Sequence, residues 1–448
     1  MVGQAKLAKQ YCQRAGIWTR RITFANFGYD KGKIISQNRS SLALIAMIVF
    51  IDTASIGLII PVLPSLIEGL GDVGIDRAAE IGGLLLFSFA IMQFLFAPII
   101  GGLSDRYGRR PVLLFTLTAL GIDYALMAWA PTLAWLFIGR IISGIMGATW
   151  PAANSCIADT VPPENRAKIF GMVGGAAASG FVLGPAIGGL LGSFGDRAPF
   201  MAASALALAG ATFGFFKLKE TLPPEKRRAF AITRANPLGN IIQMMKTPLV
   251  VGLLIVIFFM QLAAQSQLSV WAFYGTIKFN WTPLQTGLTV AMFGALMVIV
   301  QGGLTGPAIK RFGEVRTATI SMMFGLPSYL IFAFAGSTYA MLVGIMVGTM
   351  TGFAFPAMQS LATARVSDDS QGELQGAIAS SVSATSVIGP LLMTGIFGAF
   401  TDKQGIYFPG APYLLSAVLI SIAFIAFRVT VTRYAATPSP QPQTSFRA

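Results

Sequence analysis

The sequence predicts an all-α polytopic membrane protein, with twelve transmembrane helices arranged as two pseudo-symmetric six-helix bundles. Three observations carry that prediction. The 448 residues are 54% hydrophobic and 11% charged, against about 25% charged in an ordinary soluble domain. Such a chain cannot cover itself with polar surface, so bilayer is the expected solvent. Apolar segments near the ~20 residues that a spanning helix needs recur along the chain. The first six of them are related in sequence to the second six.

The segments fall at about 42–66, 80–102, 111–130, 133–156, 167–194, 199–217, 248–275, 284–308, 317–336, 339–364, 374–400 and 410–428. A polar linker, 218–247, divides six spans from six and carries Lys219, Lys226, Arg227, Arg228, Arg234 and Lys246. The expected organisation is a basic tail at 1–40, a first bundle at 41–217, the linker, a second bundle at 248–432 and a tail at 433–448. The last of these, with Pro438, Pro440 and Pro442, is expected to be disordered. Residues 1–40 hold eight Lys/Arg against the single acid Asp30 and lack the apolar run of a signal peptide. Around Lys6 to Phe24 they read either as a basic amphipathic helix on the membrane surface or as a solvated tail.

The relation between halves is a constant offset of 205 residues. It pairs Gly101 with Gly306, Gly108 with Gly313, Gly139 with Gly344, Gly147 with Gly352, Pro151 with Pro356, and Gly184-Pro185 with Gly389-Pro390. Parallel six-helix repeats around a midplane site are a transporter architecture.

Charge orients the chain. With the N-terminus in the cytoplasm, cytoplasmic segments hold 27 of the 32 Lys/Arg. Outer loops hold Arg77, Arg197, Lys278 and Lys403, and Arg140 lies within a span. The positive-inside rule then places both termini in the cytoplasm. This distribution also accounts for the net charge of +14 without nucleic acid. No basic patch interleaved with stacking aromatics is present.

Several chemistries are excluded. There is no histidine, and Cys12 and Cys156 are the only cysteines. His-based metal sites, Ser-His or Cys-His catalysis and a disulfide framework are therefore not expected. No G-x-x-x-x-G-K-[ST] loop is present, so ATP hydrolysis is not expected either. Neither a cofactor nor a metal is expected, and no catalytic constellation argues for an enzyme.

Between spans two and three runs Gly101-Gly-Leu-Ser-Asp105-Arg-Tyr-Gly108-Arg109-Arg110-Pro111. Its glycines allow close helix approach, and Pro111 suits a first helical turn. On charge alone it could be a topology-setting loop, but the full pattern is more specific. Span five repeats small residues every four positions, through Gly180, Gly184, Pro185, Gly188, Gly189 and Gly192. That spacing lines one face for close packing in lipid, and Pro185 should bend the helix.

Charges inside a bilayer cost several kcal/mol and are functional candidates. There are three: Asp52 in span one, Asp123 in span three and Arg140 in span four. At 1.5 Å per residue they lie about 15, 18 and 21 Å from the cytoplasmic ends, close enough in depth to meet around one cavity. A carboxylate that gains and loses Arg140 as partner could carry a proton. A static ion pair is the alternative. Apart from Arg428 at the end of the last one, spans seven to twelve carry no charge. They offer Gln261, Gln265 and Trp271 on roughly one face of span seven, Gln301 on span eight and Gln359 on span ten. Asn154, on span four, is the repeat mate of Gln359. Such groups suit an amphipathic or multi-ring ligand, or else serve as hydrogen bonds between helices.

The G-x-L-x-D-x-x-G-R-R loop resembles the signature of the major facilitator superfamily. By that resemblance Gly101, Asp105, Gly108, Arg109 and Arg110 belong to a charge network that latches the cytoplasmic gate. The copy at Gly306 to Glu314 lacks the Asp. The G-x3-G-P-x2-G-G run of span five resembles the antiporter signature of drug-exporting members. Over residues 45–430 the likeness narrows to the tetracycline-efflux branch. It is carried by Ile51-Asp through Pro64, Asp123-Tyr124, Gly139-Arg140 through Gly144, Ile157-Ala-Asp159-Thr160, and Gln261 through Trp271. Leu374-Gln-Gly376 through Gly389-Pro390 carries it further. The resemblance implies proton-coupled export from a bacterial inner membrane, with Asp52, Asp123 and Arg140 in the coupling. The implied partners are a small-molecule substrate, protons and the bilayer, and the implied state is a monomer. This sequence departs from some relatives at Met297, where they carry His, and near Leu326, where they carry Asp. Set against the tetracycline–metal complex that the resemblance implies, those departures favour a neutral or cationic hydrophobic drug, or an endogenous metabolite. A proton-coupled importer of a sugar or metabolite and a non-transporting receptor are the rival expectations.

Overall fold

The computed structural model describes residues 31–147, 149–161, 163–227, 248–366, 370–402 and 405–434. The expectations for the first thirty residues, for Lys403, for most of the linker and for nearly all of the C-terminal tail lie outside them. Two units are distinguished, Met1–Ser40 and Ser41–Ala448, and the second holds the twelve crossings. No strand occurs among the described residues.

The helices are α1 (Lys31–Ile59), α2 (Leu63–Gly71), α3 (Ile75–Tyr107), α4 (Arg109–Ala128), α5 (Leu133–Met146), α6 (Thr149–Thr160), α7 (Pro163–Gly192) and α8 (Ala198–Lys217). After the linker come α9 (Pro248–Phe279), α10 (Pro283–Val298), α11 (Thr305–Met323), α12 (Gly325–Phe334), α13 (Thr338–Thr349), α14 (Ala354–Thr363), α15 (Gln371–Ala399) and α16 (Ala411–Tyr434). Several crossings are broken helices. Span one is α1 and α2 joined by a 3-10 turn, Ile60–Val62, where Pro61 and Pro64 remove backbone donors. Span four is α5 and α6 interrupted after Gly147, and span ten is α13 and α14 interrupted by the 3-10 turn Met350–Phe353. Span eight passes from α10 through a π-helical turn, Ile299–Leu304, into α11.

The internal repeat extends to backbone geometry. Gly108 has φ 111° and its mate Gly313 has φ 75°. Glycine adopts this conformation without a Cβ penalty. At Gly108 it separates spans two and three. At Gly313 it divides the continuous stretch Pro283–Phe334 into spans eight and nine. The breaks at Gly147 and Gly352 also correspond. Asp72 and Asn280 end spans one and seven in the left-handed conformation that short polar side chains tolerate. The sequence Thr282-Pro-Leu-Gln285 starts span eight with a reciprocal capping box.

At one end the halves pack closely. There, Gly189 of span five abuts span eight so tightly that a Cβ would come within 2.5 Å of Pro283 O. A Cβ on Gly287 would collide with the Pro185 carbonyl, and one on Gly83 of span two with Thr394 of span eleven. Gly82 faces Phe273, and Gly398 faces Glu80, which pairs with Arg77. At the other end Gly101, Gly171, Gly174, Gly175, Gly302, Gly303, Gly306 and Gly372 have open space where a side chain would be. This open end carries the Gly101–Pro111 loop and the start of the linker.

Candidate functional site

The glycines of span five serve two neighbours, and their spacing explains how. Gly180, Gly184 and Gly188 recur every fourth residue, so they share a face, and that face lies on the backbone of span one at Phe50, Ala54 and Leu58. A Cβ at Gly184 would sit 2.6 Å from Ala54 O. Gly189 lies about 100° round the helix and meets span eight instead, as does the Pro185 carbonyl, while the Pro185 ring packs on Gly57 of span one. Sequence periodicity indicated the first face alone.

A cavity of about 370 Å³ lies mainly among spans seven to twelve, with Ile60 and Phe181 closing it from the first half. This is within the range of small-molecule sites. Gln261, Gln265, Trp271 and Gln301 all line it, so the face read on span seven does meet one space. Gln301 reaches it from the π-helical turn, a distortion frequent at functional sites. Trp271 is held by its indole N–H, which donates to Thr289 Oγ1 at 3.0 Å, and by ring contacts to Trp281, Phe332 and Tyr413. Phe293, Met297, Tyr329 and Phe355 supply further apolar wall. No lining residue is charged.

Asn154 and Gln359, expected as ligand contacts, do not line this cavity. Gln359 donates from Nε2 to Gln375 Oε1 at 2.8 Å, bridging spans ten and eleven. Its amide therefore serves helix packing, the alternative role of a membrane glutamine.

Asp52, Asp123 and Arg140 do not line the cavity either. All three lie within electrostatic range of Tyr124, a buried ring. Asp52 is buried, and Asp123 is 0% exposed. Asp123 Oδ2 hydrogen-bonds Ser143 Oγ, while its Oδ1 has no partner. Arg140 is half-buried and within electrostatic range of Asp123, but its Nη2 donates to Met127 Sδ at 3.3 Å and its guanidinium lies 6.0 Å from the Phe89 ring. The pair is thus close without being joined. Ser143 Oγ also lies 3.0 Å from Gly139 O. One hydroxyl hydrogen faces two acceptors. The hydroxyl can donate to an ionised Asp123, or turn to Gly139 O and accept from a protonated one. Gly139 makes room for the carboxylate, since a Cβ there would lie 2.8 Å from Asp123 Oδ1.

At the open end Arg109 is the centre of the loop network. It is 8% exposed and pairs with Asp105 at 2.6 Å and Asp159 at 3.0 Å, with Ser104 Oγ at 3.2 Å. Asp105 to Arg109 is an i, i+4 pair across Gly108, and Asp159 comes from the last turn of span four. Two further acids complete the arrangement that sequence reading had centred on Asp105. Asp159 was visible only as part of a motif, and Glu220 was missed. Glu220 Oε1 accepts from Arg109 N at 2.9 Å and its Oε2 from Arg110 N at 3.3 Å. Leu222 N and Thr221 N also donate to it. Gly108 has no side chain to cap α4, so a carboxylate from the linker satisfies the helix's orphan N–H groups, where the macrodipole favours an anion. Arg110 ties the same corner to the end of span six by donating to Phe215 O at 2.6 Å. Glu220→Ala is expected to lower stability by about 1 kcal/mol, the cost of a lost N-cap. Thermal melting in detergent checks this, and Glu220→Asp should recover part of the loss.

The sequence pattern of the Major Facilitator Superfamily matches residues 44–390 and, again, 269–448. The chain is 38% identical over 392 residues to the class C tetracycline resistance protein of Escherichia coli, covering 88% of this chain and 97% of that one. With the class G tetracycline resistance protein of Vibrio anguillarum the identity is 37% over 401 residues, 87% and 98% of the two chains. Among solved structures, an inward-facing bacterial homologue of the human lysosomal transporter Spinster superposes with a TM-score of 0.73. It covers 88% of this chain and 97% of that one at 17% identity, a likeness of fold. Two six-helix halves, the Gly101–Arg110 loop and these matches converge: the chain is a multi-pass membrane transporter, not an enzyme, and belongs to the major facilitator superfamily beside its tetracycline resistance proteins.

Proposed function

We propose that this transporter is a drug–proton antiporter of a bacterial inner membrane, with both termini cytoplasmic and tetracycline-like molecules as its leading substrates. Residues 41–217 and 248–432 form the rocking halves, and the open end is the cytoplasmic one. One observation carries the reading most. The buried acids and Arg140 occupy the first half, around Tyr124, while a charge-free cavity occupies the second. Ile60 and Phe181, from spans one and five, are where the first half reaches that cavity.

The coupling follows from that separation. In the inward-open state Asp123 lies near Arg140 without pairing. A carboxyl group that pairs with Arg140 in one state and not in the other exchanges a proton between them. Spans one and five carry Asp52 and the glycine face respectively, so movement that opens the seam at Gly189 and Gly287 also moves the wall of the drug cavity. The Asp105–Arg109–Asp159 network, held by Glu220, keeps the open end of the first half rigid.

The test is an assay in everted membrane vesicles with a pH-sensitive dye. Tetracycline added to vesicles with an acidified lumen is expected to release protons in a dose-dependent way. A lumen pH that does not respond to tetracyclines, or to a broad panel of amphipathic drugs, would falsify the antiport reading.

A further inference from the structure

Gln265 presents an unusual combination in the second-half cavity. It lines the space yet is only 7% exposed, and its Oε1 has no hydrogen-bond partner. Ser386 Oγ lies 3.2 Å from Val382 O, to which it donates, and accepts from Gln265 Nε2 at 3.4 Å, which leaves the amide's carbonyl oxygen free. That bond is long and weak, so little opposes a small turn that offers Oε1 to a ligand. Buried acceptors are nearly always satisfied, and one left open in a cavity wall awaits a donor.

The rest of the lining restricts what that donor is attached to. No side chain around the cavity is charged, so an ion or a metal chelate would enter without a counter-charge. The indole N–H of Trp271 is already committed to Thr289, so this ring offers its surface rather than a polar contact. Phe293, Tyr329 and Phe355 add three more aromatic walls.

We propose that this cavity selects fused-ring molecules without net charge or bound metal, anchored by a hydroxyl or amide hydrogen that the ligand donates to Gln265 Oε1. The proposal rests on the reading of the cavity as the drug site. It also assigns a positioning role to Gly389. A methyl group there would collide with the Gln265 side chain, at 2.6 Å from its Cβ and 3.1 Å from its Cδ. Gly389, the repeat mate of Gly184, thus fixes where the acceptor stands.

The experiment uses the purified full-length protein in detergent. Tetracycline, a zwitterion of zero net charge near neutral pH, is titrated by tryptophan quenching, once with EDTA and once with excess Mg²⁺. The wild type is expected to bind at least as tightly with EDTA as with Mg²⁺. Gln265→Met keeps the bulk and removes the acceptor, and should weaken metal-free binding about 10-fold, the value of one hydrogen bond. Gln265→Glu keeps an acceptor and adds charge, and should reverse the metal preference. Gly389→Ala should reproduce the Gln265→Met loss while that residue remains in place. Wild-type binding that requires Mg²⁺ overturns the charge-free selection but leaves drug antiport standing. Unchanged affinity in Gln265→Met, with Gln265→Glu still preferring metal-free ligand, overturns the anchor. Absence of binding in both conditions removes the proposed tetracycline-like substrate and this inference together.

Discussion

Asp123→Asn is expected to collapse uphill drug accumulation in vesicles to a ratio of about 1 while leaving drug binding in place. Each pH unit is worth about 1.4 kcal/mol per proton, so a two-unit gradient could sustain about 100-fold accumulation for one proton exchanged. Asparagine preserves the shape of the side chain but carries no exchangeable charge. Its amide can still satisfy Ser143, so folding should survive; the cost falls on coupling. Radiolabelled uptake at fixed and at zero pH gradient separates the two effects. Asp52→Asn should act in the same direction, since Asp52 is buried beside the same tyrosine. Retention of pH-driven accumulation in both variants would leave the first-half charges a structural role only.

Gly287→Leu should be comparably damaging for a different reason. A Cβ at Gly287 meets the carbonyl of Pro185, which is backbone and cannot swing away. Overpacking of this kind typically costs 1–3 kcal/mol. Here the simplest relief is to part spans five and eight, the movement that the proposed opening toward the other side requires. The variant should therefore insert and fold but dwell with its closed end open. Transport should fall by about 10-fold or more, in line with the upper part of that range. A cysteine placed at Leu284, beside Gly189 in the seam, should become reactive to a membrane-impermeant maleimide. Unaltered labelling together with normal transport would show that the seam is not a gate. Gly336→Leu, at a position with open space around it between spans nine and ten, is the control for a bulky residue at a span end.

Much of this architecture was legible in advance, and the reason is lipid. Bilayer thickness fixes span length, so segments could be placed from composition alone. The repeat was equally visible because glycines are kept where backbones must touch or turn, and Gly108 and Gly313 illustrate it. Gln261, Gln265 and Trp271 line one cavity because helical periodicity determines which residues share a side. Periodicity failed where the question was which side faces what. Gln359 satisfies the same pattern as a ligand contact and instead bonds Gln375. Equal depth along the spans predicted that Asp52, Asp123 and Arg140 come near one another, without saying that all three act on the buried Tyr124. Glu220 was invisible because its partners are backbone N–H groups, and backbone groups leave no mark in a sequence. The orphan oxygen of Gln265 was hidden too, since it depends on which atom Ser386 accepts from.

The most direct measurement is proton release on drug binding by the purified protein in weakly buffered detergent solution. Wild type should release protons in proportion to tetracycline bound, with the yield falling as the solution is made more alkaline. Replacing Asp52 and Asp123 together by asparagine should abolish the release while tetracycline still binds. Proton release of the same size from that double variant would contradict the claim that the two halves divide coupling and recognition between them.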